Sequence, residues 1–270
     1  VIIGIDVGNT AIKIAVQGES DVVVRRVSDH ATMDTILKTL WNYSQAETAE
    51  VRIASVNRAT ANELITQTRA VAGDAVRFRQ ITWDDLPIAI ATEHPERVGI
   101  DRLVGALGAS YDYQRPLVVV DAGTTVTVDL VDTGAVYRGG AIVPGLEMQT
   151  AALAAGTDAL PQINWQGACQ SQDLLSPQNI PALDTVAAIR LGILSSVVGG
   201  IQRLVELYGN PQCVVVTGGD GDCVAAGLRS SANPDFDVEL HPHLVCRTLA
   251  NLDSAALSKT QASSTGLRQR

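Results

Sequence analysis

Two short segments of the chain carry the same polar punctuation. Asp6-Val7-Gly8-Asn9-Thr10 follows an apolar run at Ile2–Ile5, and Asp121-Ala122-Gly123-Thr124-Thr125 follows another at Leu117–Val120. Both read D-x-G-x-T: a carboxylate, a small turn and a hydroxyl. Gly8 permits backbone angles that a β-carbon forbids, and it lets an anion approach the main chain closely. Asn9 and Thr10 offer side-chain donors, and Lys13 brings a positive charge suited to a phosphate oxygen. Asp6 can sit beside phosphates only with a cation between them, because like charges repel. Mg²⁺ held through water and phosphate oxygens meets that need. One such turn is as readily an ordinary tight hairpin. Two, with carboxylates at the same offset, can clamp a triphosphate and its cation from both sides.

Two further segments invite chemistry. Gly99-Ile100-Asp101-Arg102 opens a predicted helix. Asp101 there reads as a helix cap, worth about 1 kcal/mol. Spacing alone favours the cap; the functional reading is a general base that takes a hydroxyl proton while the hydroxyl attacks a γ-phosphate. Arg102 can anchor an anionic substrate. Gly218-Gly219-Asp220 ends an apolar run and suits a flat ring lying on the backbone, although turns after strands favour Gly anyway. Cys169, Cys213, Cys223 and Cys246 form no C-x-x-C pair and no metal-ligand spacing with His, so all four are expected as reduced thiols. His241 and His243, flanking Pro242, are expected in a solvated loop.

These residues need elements to hold them. The second strand of each repeat alternates, with Ile12, Ile14 and Val16 in one copy and Val126, Val128 and Leu130 in the other, a period of two. Each copy is therefore a β-hairpin, and the repeat has the spacing of a domain. Helices are predicted over Thr32–Tyr43, Ala61–Val71, Gly99–Tyr111, Leu146–Ala155 and Thr185–Leu207. Strands are predicted over Val51–Val56, Ala75–Ile81 and Cys213–Thr217. The alternation implies α/β layers. A polar loop is expected over Pro161–Pro181. The expected division is 1–113, 114–255 and a polar tail over 256–270. With 270 residues, two domains are the natural size; clefts between domains are common ligand sites.

The formal net charge of −9 argues against a nucleic-acid partner and against an anionic membrane surface. The longest apolar stretch, Ala187–Ile201, is interrupted by Arg190 and glycines and is read as too short to span a bilayer. No leader is legible at Val1–Ile5. A soluble cytoplasmic protein is expected.

D-V-G-N-T, G-I-D-R, D-A-G-T-T, G-G-A-I-V-P-G at Gly139–Gly145 and T-G-G-D at Thr217–Asp220 occur in this order up to about Leu252. The set resembles the type III pantothenate kinases, within the superfamily of acetate kinase, sugar kinases, Hsp70 and actin. The resemblance implies two similar ribonuclease-H-like domains facing a nucleotide cleft. It implies ATP-dependent phosphorylation of the primary hydroxyl of pantothenate to 4′-phosphopantothenate, the first step of coenzyme A synthesis. By that resemblance Asp6, Val7, Gly8, Asn9, Thr10, Lys13 and Thr124 bind ATP. Gly99, Ile100, Asp101, Arg102 and Thr185 bind pantothenate, and Asp101 is the proton acceptor. Asp121 holds a monovalent cation, K⁺ or NH₄⁺, and Asp6 serves Mg²⁺ through water. The implied assembly is a homodimer. The family often carries a Tyr three residues before the Pro that precedes G-x-D-R; here that position is Thr92. The rival expectation is a catalytically silent homologue acting as a regulatory or accessory protein.

Overall fold

The computed structural model describes residues 1–27, 36, 38–40, 42, 49–165, 180–230 and 236–257. Most of the helix expected over Thr32–Tyr43, part of the Pro161–Pro181 loop and the tail from Ser258 lie outside them. The chain forms two compact units: Val1–Tyr111 with the described residues from His243 on, and Asp112–Pro242.

Unit 1 carries strands β1 (Ile2–Val7), β2 (Ala11–Val16), β3 (Val22–Arg26), β4 (Ala49–Ser55) and β5 (Val76–Gln80) in the order β3-β2-β1-β4-β5. The first three are antiparallel, and β1, β4 and β5 are parallel. Alternation dictates one buried face: Ile3, Ile5, Val7, Ile12, Ile14, Val51 and Ile53 pack with Ala61 and Leu64 of helix α1 (Arg58–Ala72). Asn57 caps α1 by accepting from the Thr60 N–H at 3.2 Å. Helix α2 (Ile100–Asp112) buries every residue from Leu103 to Ser110. A two-residue strand, β6, lies at Ala89–Ile90.

Unit 2 repeats the plan. Strands β7 (Leu117–Ala122), β8 (Thr125–Val131), β9 (Val136–Pro144), β10 (Cys213–Thr217) and β11 (Asp237–Leu240) lie in the order β9-β8-β7-β10-β11. Again three strands are antiparallel and the last two continue in parallel. The duplication read from the two D-x-G-x-T hairpins thus extends over both sheets. Val118, Val120, Val126, Val128, Val214 and Val216 face the core, packed with helices α4 (Thr185–Leu207) and α5 (Gly221–Arg229). Helix α3 (Leu146–Gly156) starts directly after β9.

Helix α4 is 23 residues long, and length and composition alone would let it cross a bilayer, contrary to the expectation from its interrupted apolar stretch. Ile189, Ile193, Leu194, Val197, Ile201 and Val205 instead form a stripe buried in the unit 2 core, as for the core-facing side of a globular helix.

Helix α6 (Leu244–Asn251) sits in unit 1, so the C-terminal half does not run unbroken to 255. The cause is local. A β-carbon at Gly4 of β1 would lie 2.1 Å from the Cys246 carbonyl oxygen, so glycine lets the α6 backbone rest on the strand. Gly108 of α2 likewise leaves room for the Thr248 hydroxyl. Leu257 is 0% exposed, so the chain is still packed at 257, beyond the expected start of the tail at 256.

Candidate active site

In unit 1 the Gly8 N–H closes the β1–β2 turn by donating to Ala11 O at 3.0 Å. Gly8 is not among the glycines with positive φ, which corrects the expectation of a special backbone angle. What the site requires is closeness, since a β-carbon would lie 3.1 Å from Ala11 O. Asp6 and Lys13 are register partners on adjacent strands, so their side chains share a face. The Lys13 ammonium lies 3.5 Å from the Asp6 carboxylate, and Asp6 is only 6% exposed. Cys246 of α6 is close by. Burial, and then the Asp6 charge, push its thiol up to about 12, so it stays protonated and unreactive.

The Gly99 carbonyl begins α2 by accepting from the N–H groups of Arg102 at 3.1 Å and Leu103 at 3.4 Å. Asp101 Oδ1 accepts from the Arg102 N–H at 2.8 Å. A β-carbon on Gly99 would fall 2.5 Å from that same Oδ1. The glycine of G-x-D-R therefore makes room for the carboxylate, and the helix end holds it. Asp101 and Arg102 are half-buried. Thr92, also half-buried, encloses a hydroxyl oxygen with no hydrogen-bond partner.

In unit 2 the D-A-G-T-T turn is gripped from two directions. The Gly145 N–H donates to Thr124 O at 3.1 Å, and the Asp220 N–H donates to Ala122 O at 2.9 Å. A β-carbon at Gly145 would lie 2.2 Å from Gly123 O. One at Gly218, whose φ is +99°, would lie 2.2 Å from Ala122 O and 2.6 Å from Asp121 Oδ1. The final glycine of G-G-A-I-V-P-G and the first of T-G-G-D are thus fixed by backbone packing on the turn. Gly219 faces open space. Thr185 is the exposed first residue of α4, which Asp184 caps by accepting from the Ala187 N–H at 2.9 Å. No hydrogen bond among the described residues ties Thr185 to the turn.

One residue that sequence reasoning passed over stands beside Asp121. Thr127 of β8 is its register partner on one side, as Thr217 of β10 is on the other. Thr127 is 8% exposed, and its Oγ1 is buried with no hydrogen-bond partner. In register Thr127 holds in the second hairpin the place of Lys13 in the first, although the spacing hides it: Ala122 pairs with Val126 where Val7 pairs with Ile12, so the second turn is one residue shorter.

Asp220 is pushed up to about 6, chiefly by burial and further by the charge of Glu147. Glu147 itself accepts the Trp165 N–H at 2.8 Å. A carboxyl raised on folding holds its proton more tightly in the native state than in the unfolded chain. Stability therefore falls as pH rises from about 4 to about 6, and levels off above. Asp220→Asn removes that cost. Its melting temperature is expected to exceed the wild-type value at pH 7.5 and to converge with it below pH 4. Equal melting at both pH values would refute the assignment.

Cys213 and Cys246 are free thiols. Cys223 is disulfide-bonded, against the expectation of four reduced cysteines; cysteines pair across space, which spacing along the chain does not reveal. His241 lies 3.5 Å from Asp112 Oδ2 and edge-on to the Tyr113 ring, so it is packed rather than solvated. The described residues contain no group of three or more His, Cys, Asp or Glu placed to hold a metal.

A family model described as type III pantothenate kinase matches residues 2–207. A type III pantothenate kinase of Rhodopirellula baltica is 42% identical, over 93% of this chain and 97% of its own. One of Thermosipho africanus is 28% identical, over 87% and 93%. Among solved structures, the activator of the 2-hydroxyisocaproyl-CoA dehydratase from Clostridium difficile, with bound ADPNP, aligns with a TM-score of 0.51 at 14% identity, covering 100% of this chain and 98% of its own. A putative 2-dehydro-3-deoxygalactonokinase from Sinorhizobium meliloti aligns with a TM-score of 0.51 at 14% identity, covering 99% and 100%. These two likenesses establish the fold, the mixed α/β architecture of the actin, Hsp70 and sugar-kinase type.

Proposed function

We infer that this chain, which belongs to the type III pantothenate kinase family, transfers the γ-phosphoryl group of ATP to the primary hydroxyl of pantothenate. The observation that carries the reading is the start of α2. There Gly99 leaves room for the Asp101 carboxylate, and the Arg102 N–H orients it at 2.8 Å. A carboxylate fixed in this way can accept the hydroxyl proton while the oxygen attacks phosphorus, a reaction that depends mainly on positioning and electrostatic stabilisation. Gly99, Ile100, Arg102 and Thr185 are the proposed pantothenate contacts. Asp6, Val7, Gly8, Asn9, Thr10, Lys13 and Thr124 are the proposed ATP contacts.

Asp6, buried and paired with Lys13, suits Mg²⁺ through intervening water better than direct ligation. Asp121 is the proposed residue for a monovalent cation. The partnerless Thr127 oxygen next to it on the sheet fits a site with ligand capacity to spare. When bound, these cations neutralise triphosphate charge. A homodimer and a cytoplasmic location are proposed on family grounds. Nothing favours the silent, regulatory reading.

The test is ADP release from Mg-ATP with and without pantothenate, and with and without K⁺. Pantothenate-dependent release stimulated by K⁺ is expected. A folded protein that binds ATP and releases no ADP when pantothenate is added would overturn the reading.

A further inference from the structure

The two copies differ at one informative place. Across from Asp6 on β2 stands Lys13, whose ammonium reaches the carboxylate at 3.5 Å. Across from Asp121 on β8 stands Thr127, neutral and too short to carry a charge there. Its Oγ1 is enclosed and has no hydrogen-bond partner, in a residue only 8% exposed. A buried hydroxyl left in that state is costly, and it calls for a partner. The next carboxylate along the same face, Asp129, is already engaged by the Tyr137 hydroxyl at 2.8 Å.

Neighbouring strands lie about 4.8 Å apart, and residues in register present side chains on one face. Thr217, Asp121 and Thr127 therefore form a row of three oxygen-bearing side chains on β10, β7 and β8. The row holds one carboxylate between two neutral hydroxyls. Divalent ions collect several carboxylates or keep their own water. A single negative charge with neutral oxygens beside it matches a cation of charge one, held as carbonyl and hydroxyl oxygens hold such ions elsewhere. The first copy states the same charge in covalent form, as the Lys13 ammonium.

We propose that Thr127 is a ligand, together with Asp121, of a monovalent cation, and that this ion does for the second hairpin what the Lys13 ammonium does for the first. The proposal rests on the reading of Asp121 as the cation residue.

The test is thermal melting of the full chain, titrated with KCl against N-methylglucamine chloride at constant ionic strength, so that no turnover is needed. The wild-type midpoint is expected to rise with K⁺. Thr127→Val keeps the shape and removes the oxygen, and its K⁺ affinity is expected to weaken by about tenfold or more. Thr127→Ser is expected to retain the response. Thr127→Lys supplies a tethered ammonium, so its melting is expected to be indifferent to K⁺. Should the Val variant not fold, Thr127→Ala against Thr127→Ser gives the same comparison. A Val or Ala variant with wild-type K⁺ affinity, while Asp121→Asn has lost the response, overturns the role of Thr127 and leaves that of Asp121 standing. A K⁺ response that survives Asp121→Asn, or a wild type without one, overturns both.

Discussion

Asp101→Asn is expected to lower kcat by roughly 10²–10⁴-fold, the usual contribution of a positioned general base. The substitution separates two roles that the same carboxylate fills. An Asn carbonyl oxygen still accepts the Arg102 N–H that Asp101 Oδ1 accepts at 2.8 Å, so the α2 start is kept and the melting temperature should hardly change. What is lost is the ability to take a proton. Asp101→Ala removes both, adding a stability loss of about 0.3–1 kcal/mol for the lost negative charge in the first turn of the helix. Steady-state kinetics of the two variants, with melting curves, decide the matter. If the Asn variant turns over at near the wild-type rate, Asp101 serves only the first turn of α2 and no proton transfer.

The second large effect belongs to stability. Arg52 of β4 is 0% exposed. Its guanidinium donates to Glu50 Oε1 at 2.8 Å, to Leu249 O at 3.1 Å, to Leu252 O and to Ser254 Oγ at 2.6 Å. One planar fork thus satisfies the carbonyls at the end of α6 and the turn after it. Arg52→Ala strips the donor from the two buried carbonyls of Leu249 and Leu252 and is expected to cost about 2–4 kcal/mol, at about 1–3 kcal/mol for a buried acceptor left unsatisfied. Arg52→Lys should recover only part, because an ammonium cannot span the same acceptors. Urea unfolding measures both. A loss under about 1 kcal/mol in the Ala variant, the range of ordinary surface changes, would show that the network is not needed.

What could be read along the chain was what neighbours in sequence dictate. The hairpin strands, α1, α3, α4 and β10 fall where hydrophobic period and turn residues placed them. The G-x-D-R helix start is local too, since Gly99 and Asp101 meet within one turn. What escaped the reading depends on partners far away in the chain. Helix α6 is short, and its place on β1 is decided by a missing side chain at Gly4, over 200 residues earlier. Gly218 read as a turn glycine and Gly145 only as the end of a motif, yet the constraint on both is the Ala122–Thr124 backbone pressed against them. Arg52, inside the predicted strand Val51–Val56, carried no signal of its own, and only the returning C-terminal segment makes it a buried anchor. Thr127 escaped for a local reason: the second turn is one residue shorter than the first, so laying one motif over the other sets Val128 against Lys13, and only the register brings Thr127 there.

The return of α6 to the first sheet also bears on how the chain is made. Unit 2, Asp112–Pro242, is continuous, so a ribosome delivers all of it in one uninterrupted passage. Unit 1 is split. Its sheet emerges first, yet the helix that covers Gly4 and receives Arg52 is translated only after the whole of unit 2. At about 5–20 residues per second, the nascent N-terminal unit waits on the order of ten seconds with that face uncovered and a guanidinium without its acceptors. The unit born first is completed only when α6 arrives, and until then a chaperone has a defined surface to guard.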